Sequence, residues 1–410
     1  MMNRLKFMYH LFHPIALWMI IGTFVTRTGF FMTIPFLGIY LGEKIGLSPT
    51  EIGFILAVNY LVGTLSSVLG GVWSDRYGRL PVMLASLFVW IFVFIGFALA
   101  KTVAAFLVLS ALNGLCRSAF EPASRALLAD MTKDENRKLV FQVRYFAINI
   151  GGAIGPLIGL TLGSSQSSTP FIFTACIFAS YSVLILFLMK RYTLEKAAKT
   201  EIITFMSMVH VMKKDVVFLM FLLGNFFIVT GYSHLDTTLS QFLGNERVSL
   251  YSLLFTVNAV TVLVCQFPIL ALTKKISSFT AVKAGAIFFS LGLLGFGLSP
   301  NTGWFICAMV IFTIGEILCF VLMDVITAEM APDHLRGAYF GASGLVTLGQ
   351  SAGASAGGVL ISMLGTQNGG VIFSLLAVLT LFALPFLFLT ASLSRKKHSS
   401  RVLPVQHAGM

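Results

Sequence analysis

Ala129-Asp130-Met131-Thr132-Lys133-Asp134-Glu135-Asn136-Arg137-Lys138-Leu139-Val140-Phe141 decides the architecture, because its pattern returns 199 residues later. There Ala328-Glu329-Met330 is followed by Asp333, Arg336 and Phe340 at the same steps. A chain that repeats itself at about half its length is built from two like halves. Carried backwards, the same offset sets Arg117 against Glu316 and Arg125 against Asp324, so the halves share a framework while their buried charges differ in sign.

The sequence around the repeat is 57% hydrophobic and 11% charged over 410 residues, with a mean hydropathy of +0.90. Those values place the bilayer as the solvent. A helix needs about 20 apolar residues to cross roughly 30 Å of hydrocarbon. Stretches of that length occupy 14–40, 50–72, 81–100, 103–129, 139–163, 170–189, 216–243, 250–272, 281–299, 302–331, 338–364 and 370–393. The expectation is an all-α membrane protein of twelve transmembrane helices in two pseudo-symmetric six-helix halves. The halves cover 1–189 and 216–394, joined by a linker at 190–215 and followed by a basic tail at 395–410. The linker combines Lys190, Arg191, Glu195, Lys196, Lys199 and Glu201 with an apolar patch from Ile202 to Met212, which fits an amphipathic helix on the membrane surface.

Of 28 Lys and Arg, 21 fall in the termini and the alternate loops on their side, 3 (Lys44, Lys101, Arg247) in the opposite loops, and 4 within spans. By the positive-inside rule both termini are cytoplasmic. The formal charge of +12 therefore records topology and contact with anionic lipid head groups, and gives no sign of nucleic acid. Met1 to His13 shows no small-residue cleavage site, so the first span is expected to be retained. Cys116, Cys176, Cys265, Cys307 and Cys319 all fall in spans without paired spacing, which predicts neither disulfide nor metal site. No nucleophile-base pattern, phosphate loop or cofactor motif stands out, so the chain does not read as an enzyme.

Between spans 2 and 3 stands Gly71-Val72-Trp73-Ser74-Asp75-Arg76-Tyr77-Gly78-Arg79. A helix ends, a tight turn follows in which Gly78 can take a positive φ, and the next helix starts near Pro81. Asp75 and Arg79 are spaced to engage each other and a neighbouring helix end. By itself this reads equally as a short charged loop. Its context differs, because Gly-x-x-x-Asp-Arg-x-Gly-Arg resembles the signature loop of the major facilitator superfamily, with Leu80 where that family often has another basic residue. The resemblance spans the whole chain, although the second-half loop is reduced to Thr273-Lys274-Lys275. It implies a cytoplasmic gate formed by Gly71, Asp75, Arg76, Gly78 and Arg79 with Asp130, and Asp324 is read as a further gate or pairing residue near the same side.

Span 5 carries Gly151, Gly155, Pro156 and Gly159, a stripe at intervals of four residues that bares one helix face, with a proline to bend it. Ordinary small-residue packing accounts for such a stripe. In this place, however, Gly-x-x-x-Gly-Pro-x-x-Gly is similar to the antiporter motif of the superfamily's drug:proton exporters. Ser351 to Gly358 is a looser counterpart in the second half.

A charge at the bilayer centre costs about 2.5–3.5 kcal/mol on insertion scales, so each one needs a partner, water or a task. Away from span ends the chain keeps Arg27, Arg117, Arg125 and Arg144 with Glu121, Asp236, Glu316 and Asp324. On span 4, Glu121 can reach Arg117 or Arg125 four residues away, an arrangement that could be purely structural. Glu316, within Thr313-Ile314-Gly315-Glu316-Ile317, has little local solvation and is suited to taking up a proton. Arg117 is expected near it across the pseudo-twofold. Asp236 lies near the outer end of span 7, and His234 beside it reads as an interfacial polar residue. Arg27 faces either the cavity or a carboxylate on another helix.

Asp134-Glu135-Asn136-Arg137-Lys138 with Phe141, Tyr145 and Asn149 resembles the entry to span 5 of drug-exporting members, and Gly315-Glu316-Ile317 resembles their span 10. Arg144 departs from that pattern, where an acid is found, and so opens anionic, zwitterionic or neutral substrates. The resemblance implies a proton-coupled exporter of small amphipathic compounds or drugs working by alternating access, with protons, a small-molecule substrate and membrane lipids as partners, as a monomer without cofactor. Two other readings remain: proton-coupled uptake of peptides or organic anions, and a non-transporting membrane sensor or lipid-handling scaffold, for which no loop is long enough to be an output domain. Short outer loops without an Asn-x-Ser/Thr site suit a bacterial cytoplasmic membrane.

Overall fold

The computed structural model describes residues 14–132, 134–163, 165–191, 206, 213, 215–273, 276–331 and 336–402. The linker, except Lys190, Arg191, Met206, Lys213 and Asp215, lies outside the described residues, as do Asp333 and the Lys274-Lys275 remnant. Six helices form the first half: α1 Pro14–Tyr40, α2 Pro49–Tyr77, α3 Arg79–Leu99, α4 Val103–Asp130, α5 Asp134–Thr161 and α6 Thr169–Arg191. The second half starts with α7 Val216–Ser233, prolonged by a short helix Thr238–Leu243, then α8 Val248–Thr273, α9 Ser278–Gly297 and α10 Thr302–Met330. Next, α11 joins Arg336–Gly344 to Leu348–Leu364 through the tighter turn Leu345–Thr347, and α12 joins Gly369–Leu381 to Ala383–Val402. Among the described residues eleven helices are long and apolar enough to cross a membrane, and α2 matches them in length with 29 residues.

Helix starts are fixed by local chemistry. Ser48 and Glu51 form a reciprocal capping box on α2, while Asp215, Ser277 and Asn301 accept a backbone N–H at the starts of α7, α9 and α10. Asp215 also accepts the Tyr339 hydroxyl at 2.9 Å, which ties α7 to α11. The boundaries correct three expectations. The turn after α2 is Gly78 alone, with φ +96°, so Asp75 and Arg76 belong to the last turn of α2 and Arg79 already opens α3. The entry to span 5 is helical from Asp134. The last helix runs on to Val402, into the basic tail.

Each half has its own apolar core. Phe94, Phe97, Phe106, Phe171 and Phe178 centre the first, and Phe218, Phe221, Phe289, Phe296 and Phe305 the second. Phe36 and Ile39 of α1 nevertheless sit in the second core, Phe36 edge-on to Tyr251 at 5.6 Å, and Ala354 of α11 sits in the first. Large apolar side chains such as Phe88, Phe92, Val183, Phe187, Val264, Phe267, Val371 and Phe388 stay exposed. In water that belt would be a liability, and against lipid tails it is the expected surface.

We call the side holding the α2–α3 and α4–α5 turns the basic face. Toward the opposite face the halves interlock. Gly53 of α2 lies against Ala354 and Gly358 of α11, Gly38 of α1 against Ser240, and Ser165 donates to Asn245 at 2.7 Å. Thr64 and Thr347 are joined at 2.5 Å deeper in, and Thr256 of α8 donates to the Ala153 carbonyl of α5 at 3.3 Å. Toward the basic face Arg125 of α4 and Asp324 of α10 are exposed, so the cleft between the halves opens on that side.

Candidate substrate cleft and coupling residues

Three helices of the first half converge on Glu121 of α4. One carboxylate oxygen takes an Nη of Arg27 from α1, and the other takes an Nη of Arg144 from α5 at 2.8 Å. Arg27 therefore faces a carboxylate on another helix, one of the two arrangements the sequence left open. The i, i+4 ladder on α4 is corrected: among the described residues Arg125 hydrogen-bonds the Glu121 backbone carbonyl, at 3.4 Å, without an ion pair to its carboxylate, and Arg117 turns elsewhere. A guanidinium arriving from a neighbouring helix gives each carboxylate oxygen its own charge-assisted hydrogen bond in a nearly dry setting, with side chains only 10–20% exposed. The Arg144 Nε is buried without an acceptor among the described residues.

Beside this triad Thr26, Arg27, Phe30, Trp90, Arg117 and Glu121 line a cavity of about 20 Å³, room for a single water. Trp90 donates to Asn113 at 2.6 Å, and Asn113 to Asn59 at 3.3 Å. Those two bonds fix the aromatic wall to α2 and α4.

Arg117 stands over the ring of Tyr60 at 5.2 Å, a cation–π contact, and the Tyr60 hydroxyl donates to Asp236 in the turn between α7 and its short continuation. The pair Tyr60–Asp236 is thus a polar link between the halves, with Arg117 close enough to act on its charge. Asp236 is half-buried, and His234, expected at the interface, is fully buried with Nδ1 on Thr238 at 2.8 Å. The break at His234–Thr237 folds the ring inward, which the apolar run of span 7 did not signal.

Glu316 lies midway along α10 and accepts from the Asn258 amide of α8 at 2.7 Å, while the same amide donates to Thr313 at 2.9 Å. Tyr145 of α5 and Tyr232 of α7 lie within reach of its charge. Among the described residues no basic side chain is within ion-pair distance of Glu316, so the expected contact with Arg117 is not formed. Arg117 is engaged at Tyr60 and Asp236 instead.

At the basic face Arg79 pairs with Asp130 at 3.3 Å and donates to Ser74 at 2.9 Å, joining the start of α3 to the ends of α4 and α2. Arg76 is exposed and stacks on Tyr77 at 5.4 Å. Gly71 lies inside α2, and the side chain of Asp75 is outside the described residues. Asp324 and Arg125 act on each other electrostatically without an ion pair between them among the described residues.

The glycine stripe of α5 receives α1. A Cβ on Gly151 would stand 3.0 Å from the Arg27 Cβ, and one on Gly155 would stand 2.7 Å from the Thr28 carbonyl. Pro156 and Gly159 are buried in the same helix. The looser stripe of α11 does the equivalent work, since Gly349 and Gly353 face the Phe226 and Thr230 backbone of α7 and Gly357 faces Thr238. Small residues let helix backbones approach closely. Here they also press α1 against α5 at the height of Arg27, which aims that arginine at Glu121.

Tyr60 and Asn258 are the participants the sequence reading missed. Both are polar groups inside apolar spans, a signal as usable as charge, because neither tolerates hydrocarbon without a hydrogen-bond partner.

Residues 19–347 match the family model described as Major Facilitator Superfamily. The chain belongs to that superfamily. It is 39% identical over 399 residues to "Uncharacterized MFS-type transporter YqjV" of Bacillus subtilis (strain 168), covering 95% of this chain and 97% of that protein. It is 28% identical over 368 residues to "Na(+), Li(+), K(+)/H(+) antiporter" of Planococcus maritimus, covering 80% and 84%. In fold it is similar to the crystal structure of the nucleoside transporter NupG, with a TM-score of 0.72 at 12% identity over 92% of this chain and 98% of that one. As a member of the superfamily this protein is a multi-pass membrane transporter of a small molecule, and not an enzyme.

Proposed function

We propose that this superfamily member is a proton-coupled exporter of small amphipathic compounds that works by alternating access, with Glu316 as the coupling acid and Asp236 as a second acid at the inter-half link. The observation that carries the reading is the setting of Glu316, a mid-membrane carboxylate held by a neutral amide. An acid tied to an arginine must give up an ion pair to accept a proton, whereas one held by an amide exchanges a hydrogen bond. Neutralising it changes what the cleft binds and biases the rocking of the halves. The Gly151–Gly159 stripe and a relative named as a cation/proton antiporter favour exchange over symport.

In this reading the basic face is cytoplasmic, Arg79 and Asp130 belong to the gate on that side, and the chain sits in the cytoplasmic membrane as a monomer. Substrate-induced proton movement in reconstituted vesicles tests it, with wild type beside Glu316→Gln. The expected result is that the variant binds substrate but no longer moves it against a gradient when a pH difference is imposed. Uphill transport at the wild-type rate by the variant would remove Glu316 from the coupling role.

A further inference from the structure

The polar lining of the cleft is lopsided. The first half brings three cations, Arg27, Arg117 and Arg144, and one carboxylate, Glu121, whose two oxygens are both already taken by Arg27 and Arg144. Arg117 is answered across the interface by Asp236 through Tyr60. Among the described residues one positive charge therefore remains unmatched at the triad. A buried charge without a counter-charge is costly, and an arginine presents five donors in a planar fork that suits a carboxylate. Arg144 shows the same surplus at atomic level: it is 9% exposed, and its Nε, buried, meets no acceptor among the described residues. The facing half carries the reverse, with Glu316 held by a neutral amide.

We infer that the cleft takes zwitterionic amphiphiles, an acidic group of the substrate docking on the Arg27–Arg144 pair while a basic group turns toward Glu316. Phe30, half-buried beside Arg27, offers the apolar part of such a molecule a ring to pack on. This deepens the proposed function by naming its substrate class, and rests on that reading only in taking the central cleft as the substrate's path. The polarity holds whichever way substrate moves.

The test is equilibrium binding to the purified full-length protein in detergent, read by fluorescence anisotropy. The probes are a zwitterionic rhodamine with a free benzoic acid and the cationic methyl ester of the same dye. Binding needs neither a proton gradient nor a direction, so its outcome is separate from the vesicle assay of Glu316. The free acid is expected to bind about tenfold or more tightly than the ester, as loss of one charge-assisted hydrogen bond would give. Arg144→Lys, which keeps the charge and removes the fork, is expected to erase most of that difference. Equal or tighter binding of the ester, no binding of the acid, or an acid preference that survives both Arg144→Lys and Arg27→Gln would each overturn the inference. A single symmetric elution peak of each variant in size-exclusion chromatography serves as the check that it folds.

Discussion

Tyr60→Phe isolates the inter-half link, because it removes one hydroxyl and leaves the ring that carries Arg117. Tyr60 is only 5% exposed, so phenylalanine fills the same space and the cation–π contact survives. What is lost is a hydrogen bond to a carboxylate, worth about 1.5–3 kcal/mol. That bond joins α2 to the α7 turn, so it acts only when the opposite face is closed, and its loss shifts the closed-to-open ratio by about 10- to 150-fold. Asp236→Asn is expected to do less. An asparagine carbonyl still accepts from Tyr60 in a neutral bond of about 0.5–1.5 kcal/mol, so the loss is only the difference, about 1–1.5 kcal/mol, a shift of about 5- to 12-fold. The assay is disulfide crosslinking of Ser165→Cys with Asn245→Cys, whose side chains meet at 2.7 Å, in a background lacking the five native cysteines. The crosslinked fraction at a fixed oxidant pulse should fall in the order wild type, Asp236→Asn, Tyr60→Phe. A fraction in Tyr60→Phe within twofold of wild type, with membrane expression unchanged, refutes the claim that this bond holds the closed face.

Glu121→Gln leaves Arg27 and Arg144 facing a neutral group, which for a buried pair costs about 3–5 kcal/mol, the lower end applying here because the side chains are a tenth to a fifth exposed. Thermal unfolding in detergent should show a lowered midpoint, and adding Arg144→Gln should recover part of the loss; a double variant no better than the single one would count against the triad. Gly155→Val drives a side chain into the Thr28 carbonyl at 2.7 Å and the Phe31 Cβ at 2.8 Å. Overpacking of that kind costs about 1–3 kcal/mol or more, so the midpoint should drop and Gly155→Ala should fall between. An unaltered midpoint in Gly155→Val would show that α1 and α5 are not pressed together there.

Much of the fold was legible because a membrane leaves so few ways to bury a backbone. Twelve apolar stretches had to be helices, and the repeat about Asp130 and Glu329 divided them six and six. Helix ends were less visible. Polarity marks where a span leaves hydrocarbon, not where its hydrogen bonds stop, so α2 runs on through Asp75 to Tyr77 and turns on one residue. The break in α11 carries no composition signal, since Leu345–Thr347 are ordinary membrane-helix residues, whereas His234 and Asp236 mark the break in α7 by polarity without saying that the helix turns there. Pairing was the hardest part. Spacing along α4 knows only the neighbours of Glu121 on its own helix, while Arg27 and Arg144 arrive from positions 94 and 23 residues away.

The 199-residue offset misled in an instructive way when it set Arg117 against Glu316. Positions related by a pseudo-twofold occupy equivalent places on opposite walls of the cleft, and equivalence is a statement about symmetry rather than contact. Arg117 instead reaches Tyr60 and, through it, Asp236, while Glu316 turns to Asn258. The consequence for coupling is energetic. To protonate, Glu121 would have to release two guanidinium groups in a nearly dry setting, leaving both uncompensated at a cost of several kcal/mol. Glu316 gives up part of one hydrogen bond to an amide, about 1.5–3 kcal/mol while it is charged, and keeps a neutral bond afterwards. In the proposed cycle the first half is therefore the fixed, charge-committed wall, and the second half is the one whose protonation state can change without dismantling the fold.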